Sequence, residues 1–330
     1  MSIQIKGTGC FVPEKVLSNQ DLEKIVDTTD EWITTRTGIK NRHIAPEDMP
    51  TSDMALRAAK NALENAGISA DDLDFIIVAT SSGDYPFPST ACVLQGKLGM
   101  KKKCQCFDLS AACSGLLYSL DTGANLLRGH KNYRYGLMIG AEKLSYLADW
   151  KDRATCVLFG DAASAVILEK VDDGSDESCL LATDLGADGT CVNLLLHPAG
   201  GTAIPVTAEN VDTHENALNM NGPEVFKHAV PAMVSAAKAV LADAEVASDR
   251  LRWVIPHQAN KRIIDAVAAR LDVTEEHVYV NIQNYGNTSA ASIGLCLDEL
   301  NRSGQLQKGD LVLATTFGAG LTWAAALIRW

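Results

Sequence analysis

The chain has 330 residues, of which 47% are hydrophobic and 21% charged, enough for one large domain or two ordinary ones around a substantial core. Its net charge of −12 argues against general nucleic-acid binding, and an acidic partner would need a local basic patch. Its nine cysteines have neither paired nor zinc-ligand spacing, and no apolar run approaches the ~18 residues of a membrane helix. We therefore expect a soluble, reduced, cytoplasmic protein that binds no metal, nucleic acid or membrane.

The first predicted elements follow one another from the N-terminus. Residues 1–7 have the pattern of a strand, and residues 58–63 have the spacing of an amphipathic helix. An acidic loop at 71–74 leads into the apolar run 75–78, which is typical of a fully buried strand. This order of helix, loop and buried strand predicts a layered α/β protein.

A strand-to-helix junction carries the cysteine of greatest chemical interest. Residues 104–110 predict a short strand and residues 111–120 have helical periodicity, which places Cys113 at the junction. A thiol there faces unpaired backbone N–H groups and the positive end of the helix dipole. Because both favour the thiolate, we expect Cys113 to be a nucleophile. The alternative is a small buried apolar residue.

The second half of the chain repeats the first. Residues 236–255 align without a gap with residues 58–77, and both segments have the pattern of a helix, a loop and a buried strand. Residues 159–168 and 317–328 each combine a glycine turn with an apolar strand. Chance similarity between two alanine-rich helices does not explain the shared loop and strand.

This repeat predicts a duplicated α/β fold with two pseudo-twofold-related halves and mixed, mainly parallel sheets covered by helices. The acidic turn at 172–178 marks the boundary between an N-terminal half, 1–174, and a C-terminal half, 175–330. Packed face to face, the halves would bring equivalent loops together at their junction.

Two polar residues of the second half are candidates to share a site with the cysteine. His257 follows a buried strand, at the sheet edge where α/β proteins place ligands, and matches Ala79 of the first half. Asn287 follows Gly286 at the start of the helix that corresponds to the one after Cys113. The alternatives are a structurally satisfied histidine and a helix-capping asparagine.

Together these residues predict a Cys–His–Asn site assembled across the two halves. The Cys113 thiolate would attack an acyl donor and carry the acyl group as a thioester. His257 and Asn287 would donate hydrogen bonds to a developing enolate oxygen. The backbone N–H groups of Cys113 and Ala319 would hold the tetrahedral oxyanion.

Four motifs in order carry a family resemblance that extends over nearly the whole chain. Residues 27–39, 108–113, 254–260 and 286–290 closely resemble β-ketoacyl-[acyl carrier protein] synthase III, the initiating condensing enzyme of fatty acid synthesis. The resemblance implies the thiolase fold, a duplicated α/β/α/β/α layered architecture. It implies the decarboxylative condensation of an acyl-CoA with malonyl-acyl carrier protein, with coenzyme A esters as substrates and no cofactor.

The resemblance also implies a coenzyme A site. Trp32 and Arg153 would sandwich the adenine, with Thr28, Arg36 and Asn260 nearby. A tryptophan beside a cationic Arg36 suits nucleotide binding, whereas the alternative for Trp32 is core packing.

The family's partners are an acidic carrier protein and a second copy of the chain. The carrier-protein residues implied here are Lys227, Gln258, Lys261 and Arg262. In the acyl pocket, Phe87 matches a residue that reaches across the family's homodimer to floor the partner's pocket, beside Leu144.

Sister families differ at residues that can be checked. Elongating synthases have a second histidine where this chain has Asn287, and thiolases need a second catalytic cysteine, which no residue after Cys296 provides. Two alternatives stay open: a condensing enzyme of secondary metabolism that uses only coenzyme A esters, and a non-catalytic partner subunit. The acyl-chain preference is also open.

Overall fold

The computed structural model describes residues 2–171 and 179–330. The strands are β1 Ser2–Phe11, β2 Val16–Ser18, β3 Asn41–His43, β4 Phe75–Ala79, β5 Gln105–Leu109, β6 Tyr135–Glu142, β7 Ala162–Val171, β8 Cys179–Ala187, β9 Leu195–Leu196, β10 Asn219–Met220, β11 Trp253–Pro256, β12 Leu311–Gly318 and β13 Thr322–Arg329. The helices are α1 Asn19–Leu22, α2 Asp30–Thr37, α3 Thr51–Ala66, α4 Thr90–Lys97, α5 Gly115–Gly129, α6 Gly222–Asp243, α7 Lys261–Arg270, α8 Ile282–Tyr285 and α9 Ser292–Arg302. The predicted boundary at 172–178 lies outside the described residues.

Two large sheets organise the chain. The first has the strand order β1-β7-β6-β4-β5 and the second has the order β11-β12-β13-β8. Both sheets are mixed, as predicted, but among the described strands parallel pairing is confined to β4–β5, β4–β6 and β11–β12. Parallel pairs are therefore fewer than we predicted, because β6–β7 and β12–β13 are consecutive strands that pair antiparallel.

The predicted duplication is visible in the order of the elements. In the first half α3, a 3-10 turn at Ala70–Asp72 and β4 follow one another, and in the second half α6, a 3-10 turn at Ser248–Arg250 and β11 do the same. The sheets correspond strand by strand, with β1, β7, β6 and β4 matching β8, β13, β12 and β11. A parallel bridge from Val254 to Val278 takes the place that β5 has beside β4.

The helices form three layers around the two sheets. Successive side chains of a strand point to opposite faces, and in β4 Phe75 and Ile77 face α5 and α9 whereas Ile76 and Val78 face α3. The second sheet likewise packs on α5 and α9 with one face and on α6 and α7 with the other. This is the α/β/α/β/α order of layers.

Among the described residues, one helix is long and apolar enough to cross a membrane by length and composition alone. It is α6, in which half of the most apolar window is buried. Because α6 packs against β8, β12 and β13, its apolar face is accounted for by the core of the second half.

Each half contacts a turn of the other half through the end of one strand. The end of β6 packs on the 3-10 turn Ser289–Ala291, and the end of β12 packs on the 3-10 turn Ala112–Ser114. Glycines make these approaches possible. A Cβ on Gly140 would lie 2.2 Å from the carbonyl oxygen of Ala290, and a Cβ on Gly318 would lie 2.7 Å from the backbone nitrogen of Cys113.

The substitution Gly140→Ala tests whether this close approach supports the fold. We expect it to lower the free energy of unfolding by about 1–3 kcal/mol or more, because the added methyl group must displace backbone. The matched control is Gly96→Ala in α4, where an added Cβ meets no described atom within 4 Å. It should raise stability by about 1 kcal/mol. Chemical denaturation followed by circular dichroism measures both, and equal stability of the two variants would contradict the assignment.

Candidate active site

Cys113 lies in the junction that the sequence predicted. Strand β5 ends at Leu109, the 3-10 turn Ala112–Ser114 follows, and α5 begins at Gly115. Ala112 has a left-handed backbone with φ of +46°. The hydroxyl of Thr322, from the β13 end of the other half, donates to the carbonyl of Ala111 at 3.0 Å.

The environment of the Cys113 thiol differs from our expectation. The residue is only 8% exposed, and burial raises the pKa of the thiol to about 12. The nearby Ser289 hydroxyl lowers this pKa and the Glu142 carboxylate raises it further. Burial of the thiol therefore opposes the predicted stabilisation of the thiolate by the helix start.

His257 has one satisfied and one unsatisfied ring nitrogen. It follows β11, and its backbone N–H donates to the carbonyl of Thr315 at 2.8 Å. Its Nδ1 lies 2.7 Å from the hydroxyl oxygen of Ser292, and its buried Nε2 has no hydrogen-bond partner among the described residues. Burial lowers the pKa of the imidazole to about 3, so the ring is neutral at physiological pH. A structurally satisfied histidine would not leave Nε2 unpaired.

Asn287 is held by its backbone and by one side of its amide. Its N–H donates to the carbonyl of Leu158 at 2.8 Å, and its carbonyl accepts from the N–H of Gly160 at 3.0 Å. The side-chain oxygen accepts from the N–H of Ser289 at 2.9 Å. Asn287 is not the helix cap, since Thr288 is the N-cap of the 3-10 turn, but its Oδ1 is occupied inside the turn while the Nδ2 hydrogens stay available for a ligand.

One cavity of about 470 Å³ brings the three residues together. Cys113, His257 and Asn287 all line it, as does Ala319, the predicted second oxyanion donor. The remaining walls are largely apolar side chains, among them Leu147, Leu158, Leu195, Met220, Val225, Phe226, Met233 and Phe317. Such an apolar lining suits a thioester, because few polar groups compete for the reacting carbonyl.

The predicted adenine site forms a cluster outside the cavity. The guanidinium carbons of Arg36 and Arg153 lie 4.6 and 5.2 Å from the Trp32 ring centroid. A base stacked between Trp32 and Arg153 needs about 7 Å, two van der Waals separations, so Arg153 would have to move outward. The Arg153 guanidinium donates to the carbonyl of Asp27 at 3.0 Å.

Two further coenzyme A candidates occupy different surroundings. Asn260 lines the cavity and caps α7, with its side-chain oxygen accepting from the N–H of Arg262 at 2.9 Å. The Thr28 hydroxyl oxygen is buried, has no partner among the described groups and does not line the cavity. The Arg262 guanidinium also donates to the carbonyl of Thr35 at 3.3 Å, which ties α7 to α2 beside the Trp32 cluster.

Of the four carrier-protein candidates, three are accessible and one is not. Lys227 and Arg262 are exposed, and Lys261 is half-buried and paired with Asp265. Gln258 is buried, its amide nitrogen donates to the carbonyls of Pro256 and Tyr279, and its oxygen accepts from the backbone at 281 and 282. The prediction for Gln258 was therefore wrong, because every hydrogen-bonding group of its amide is used inside the fold.

The two acyl-pocket candidates lie apart. Leu144 is buried and lines the cavity. Phe87 is 86% exposed and does not line the cavity of its own chain.

Comparison with known proteins identifies the family. Residues 107–189 match 3-oxoacyl-[acyl-carrier-protein] synthase III, and residues 241–330 match the C-terminal region of that family. The chain is 49% identical over 326 residues to a beta-ketoacyl-[acyl-carrier-protein] synthase III of Caldanaerobacter subterraneus, covering 99% of this chain and 97% of that protein. The chain belongs to the β-ketoacyl-[acyl-carrier-protein] synthase III family.

Other relatives agree with this assignment. A synthase III of Natranaerobius thermophilus is 47% identical over 327 residues, covering 99% of both proteins. The crystal structure of the synthase III of Aquifex aeolicus has a TM-score of 0.90 and 47% identity, covering 99% of this chain and 100% of that chain. Members of the β-ketoacyl-[acyl-carrier-protein] synthase III family are condensing enzymes of the acyltransferase type, so the chain is an enzyme of this class.

Sequence reasoning missed three residues around the triad. Ser292 contacts His257, and Ser289 binds both Asn287 and the carboxylate of Glu142. The two serines lie just after Asn287, in or next to the motif that identified it, but their partners are distant in sequence. Glu142 carried no local signal, since it ends an otherwise apolar strand.

The protonation state of Cys113 can be measured by alkylation with iodoacetamide. Because burial raises the thiol pKa, we expect the rate at Cys113 to keep rising about tenfold per pH unit from about pH 7 to about pH 9. Peptide mass spectrometry would follow Cys113 alongside the exposed Cys92 in the same sample. A plateau at Cys113 below about pH 8 would instead show that the helix start stabilises the thiolate.

Proposed function

We propose that the chain condenses an acyl-CoA with malonyl-[acyl carrier protein] to give 3-oxoacyl-[acyl carrier protein], coenzyme A and carbon dioxide, the first condensation of fatty acid biosynthesis. The observation that carries the proposal is the convergence on one cavity of the Cys113 thiol, the unpaired Nε2 of His257 and the available amide of Asn287. Relatives at 49% and 47% identity with the synthase III name support the same reaction.

In the first half-reaction the Cys113 sulfur attacks the thioester carbonyl of the acyl-CoA. The N–H groups of Cys113 and Ala319 stabilise the tetrahedral oxyanion. Collapse of this intermediate breaks the bond to coenzyme A, and the thiol proton of Cys113 leaves with the departing sulfur. The products are a Cys113 thioester and neutral coenzyme A thiol.

In the second half-reaction the malonyl carboxylate leaves as carbon dioxide and its electron pair forms an enolate. The Nε2–H of His257 and the Nδ2–H of Asn287 donate to the enolate oxygen. This requires the His257 proton on Nε2. The Ser292 hydroxyl supports that tautomer, since it has no other acceptor among its described contacts and so donates to Nδ1. The enolate carbon then attacks the acyl group, and the released Cys113 thiolate takes up a proton.

In this proposal coenzyme A binds at two places, the cluster around Trp32 and the apolar cavity. The adenine of coenzyme A stacks on Trp32 with Arg36 and Arg153 around it, and Thr28 and Asn260 bind along the path to the cavity. The arm that carries the thioester lies along the apolar lining of the cavity.

The acidic carrier protein docks on Lys227, Lys261 and Arg262. Lys227 pairs with Glu224 and Lys261 with Asp265, so docking would exchange these ion pairs for carboxylates of the carrier protein, while Arg262 binds an acidic group directly.

The alternatives fit less well. A synthase that uses only coenzyme A esters would share the triad, but the family match and the relatives favour a carrier-protein substrate. A non-catalytic subunit would not need the nucleophile, and Cys113 is present in the cavity. We propose that the reaction needs no cofactor beyond coenzyme A ester substrates, and that the enzyme works in the cytoplasm, where its thiols stay reduced.

Separating the half-reactions tests this proposal. In Asn287→Ala, we expect Cys113 still to be acylated by acetyl-CoA, while carbon dioxide release falls about 100-fold because one donor to the enolate is lost. Intact-protein mass spectrometry measures the first step and radiolabelled carbon dioxide the second. Cys113→Ala is the control and should form no adduct. Unchanged turnover in Asn287→Ala would refute its role, and no adduct with any acyl-CoA on the wild-type protein would refute the function.

We further propose a homodimer in which Phe87 enters the acyl pocket of the partner. Its 86% exposure is anomalous for a phenylalanine in a monomer. We expect Phe87→Ser to weaken the dimer at least about tenfold in analytical ultracentrifugation, because aromatic anchors dominate interfaces. Ile25→Ser, at another exposed apolar residue, should leave the dimer intact. A monomeric wild-type protein, or equal effects of the two substitutions, would contradict the proposal.

A further inference from the structure

Strand β6 ends in a buried carboxylate to which the mechanism assigns no role. Glu142 is fully buried, and its Oε2 accepts from the Ser82 hydroxyl at 2.6 Å while its Oε1 accepts from the Ser289 hydroxyl at 3.1 Å. The N–H of Ser81 lies 3.2 and 3.1 Å from the two oxygens. No cationic side chain pairs with Glu142 among the described residues, and burial raises the pKa of its carboxyl group to about 7. A buried acid held only by neutral donors is costly and calls for an explanation.

Ser289 connects this carboxylate to the catalytic amide. Its hydroxyl donates to Glu142, and its N–H donates at 2.9 Å to the side-chain oxygen of Asn287. Ser289 has a left-handed backbone with φ of +48°, which costs about 1–3 kcal/mol outside glycine. With Oδ1 of Asn287 fixed to this N–H, Nδ2 is the part of the amide left to face the cavity.

The duplicated fold supplies an internal comparison for this contact. Strands β6 and β12 each have eight residues, and their last residues, Glu142 and Gly318, face the turns of the opposite halves. Ala112, with φ of +46°, is the counterpart of Ser289 in the other turn, and a Cβ on Gly318 would lie 3.2 Å from its Cβ. A serine–glutamate pair thus stands where the other half has alanine and glycine.

This comparison distinguishes what the turn needs in order to form from what the contact between Ser289 and Glu142 contributes. Since Ala112 adopts the left-handed conformation without a hydrogen-bonded side chain, the turn at Ser289 does not need Glu142 in order to form. What distinguishes the two turns is that the second one orients Asn287. Glu142 itself does not line the cavity, whereas Ser289 and Asn287 do.

We propose that Glu142 is a positioning residue for decarboxylation: by accepting from the Ser289 hydroxyl it fixes Ser289, whose backbone N–H holds Oδ1 of Asn287 and leaves the Nδ2 hydrogens directed at the enolate oxygen. The inference rests on the proposed function and adds a residue to it. It also predicts that the two half-reactions respond differently. The negative charge of Glu142 raises the pKa of the Cys113 thiol, so removing that charge should not slow acylation.

The substitution Glu142→Gln provides the first test. Glutamine keeps the shape but has one acceptor oxygen instead of two, which weakens the support of Ser289. We expect carbon dioxide release from malonyl-carrier protein to fall about tenfold, with the KM of both thioesters within about twofold of wild type. Acylation of Cys113 by acetyl-CoA, followed by intact mass, should be unchanged or faster. An equal loss in both half-reactions, or no loss of decarboxylation, would overturn the inference.

A double-mutant cycle tests whether Glu142 acts through Ser289. Ser289→Ala recreates the alanine that the first-half turn already accommodates at Ala112, so this variant should fold even if Glu142→Gln does not. The Ser289 hydroxyl also lowers the pKa of the Cys113 thiol, so carbon dioxide release is measured separately from acylation in every variant. We expect Ser289→Ala alone to lower decarboxylation about tenfold, and Glu142→Gln to change it less than about twofold further in that background. Full decarboxylation in Ser289→Ala, or multiplicative losses in the double variant, would overturn the proposed route.

The matched control is Asp298→Asn, at another buried carboxylate. Asp298 accepts from the Thr8 hydroxyl at 2.8 Å and pairs with Arg302, but it does not line the cavity. It should lower the melting temperature without changing the ratio of decarboxylation to acylation, and a changed ratio would show that the assay reports stability alone and would overturn the inference. Wild-type protein that fails to acylate would contradict the proposed function, whereas active wild type with equally active variants contradicts only this inference.

Discussion

The close approach of backbone between the two halves is the constraint on which the site depends. The end of β12 can reach the Cys113 turn only because residue 318 has no side chain, and β6 can reach the Asn287 side of the junction only because residue 140 has none. Each catalytic turn is therefore held by a strand of the opposite half. A site built in this way exists only when both halves are folded and docked. Its rigidity therefore depends on the packed core between the two sheets.

Burial at this junction sets the protonation of the triad. Desolvation disfavours charge on both partners, which raises the pKa of the Cys113 thiol and lowers that of the His257 imidazole. The resting site is therefore a neutral thiol beside a neutral imidazole rather than an ion pair. In such surroundings, the N–H groups that the proposed mechanism uses would stabilise a transient oxyanion or enolate more strongly than they would in water.

Much of this could be predicted from sequence because it depends on local patterns. The repeat of residues 58–77 at 236–255 revealed the duplication, and Cys113, His257 and Asn287 each stood next to a recognisable strand or helix start. What the sequence could not show were properties set by distant atoms. The thiol pKa depends on how deeply the turn is buried. The Gln258 amide is occupied by the carbonyl of Tyr279 and by the N–H groups of residues 281 and 282, which lie 21 to 24 residues later in the chain. Glu142 gave no signal, because its role depends on a residue 147 positions later in the chain.

The unpaired Nε2 of His257 has a consequence for how the enzyme can evolve. A buried polar atom without a partner costs about 1–3 kcal/mol, so the catalytic residue works against the stability of the chain that carries it. Replacement by an apolar ring of similar size would relieve that cost, and selection for robustness alone would favour losing the histidine. Under the proposed mechanism the substrate opposes this, since its enolate oxygen accepts the missing hydrogen bond from Nε2. A chain in which the reaction is no longer needed would therefore be expected to gain stability by losing the histidine at this position.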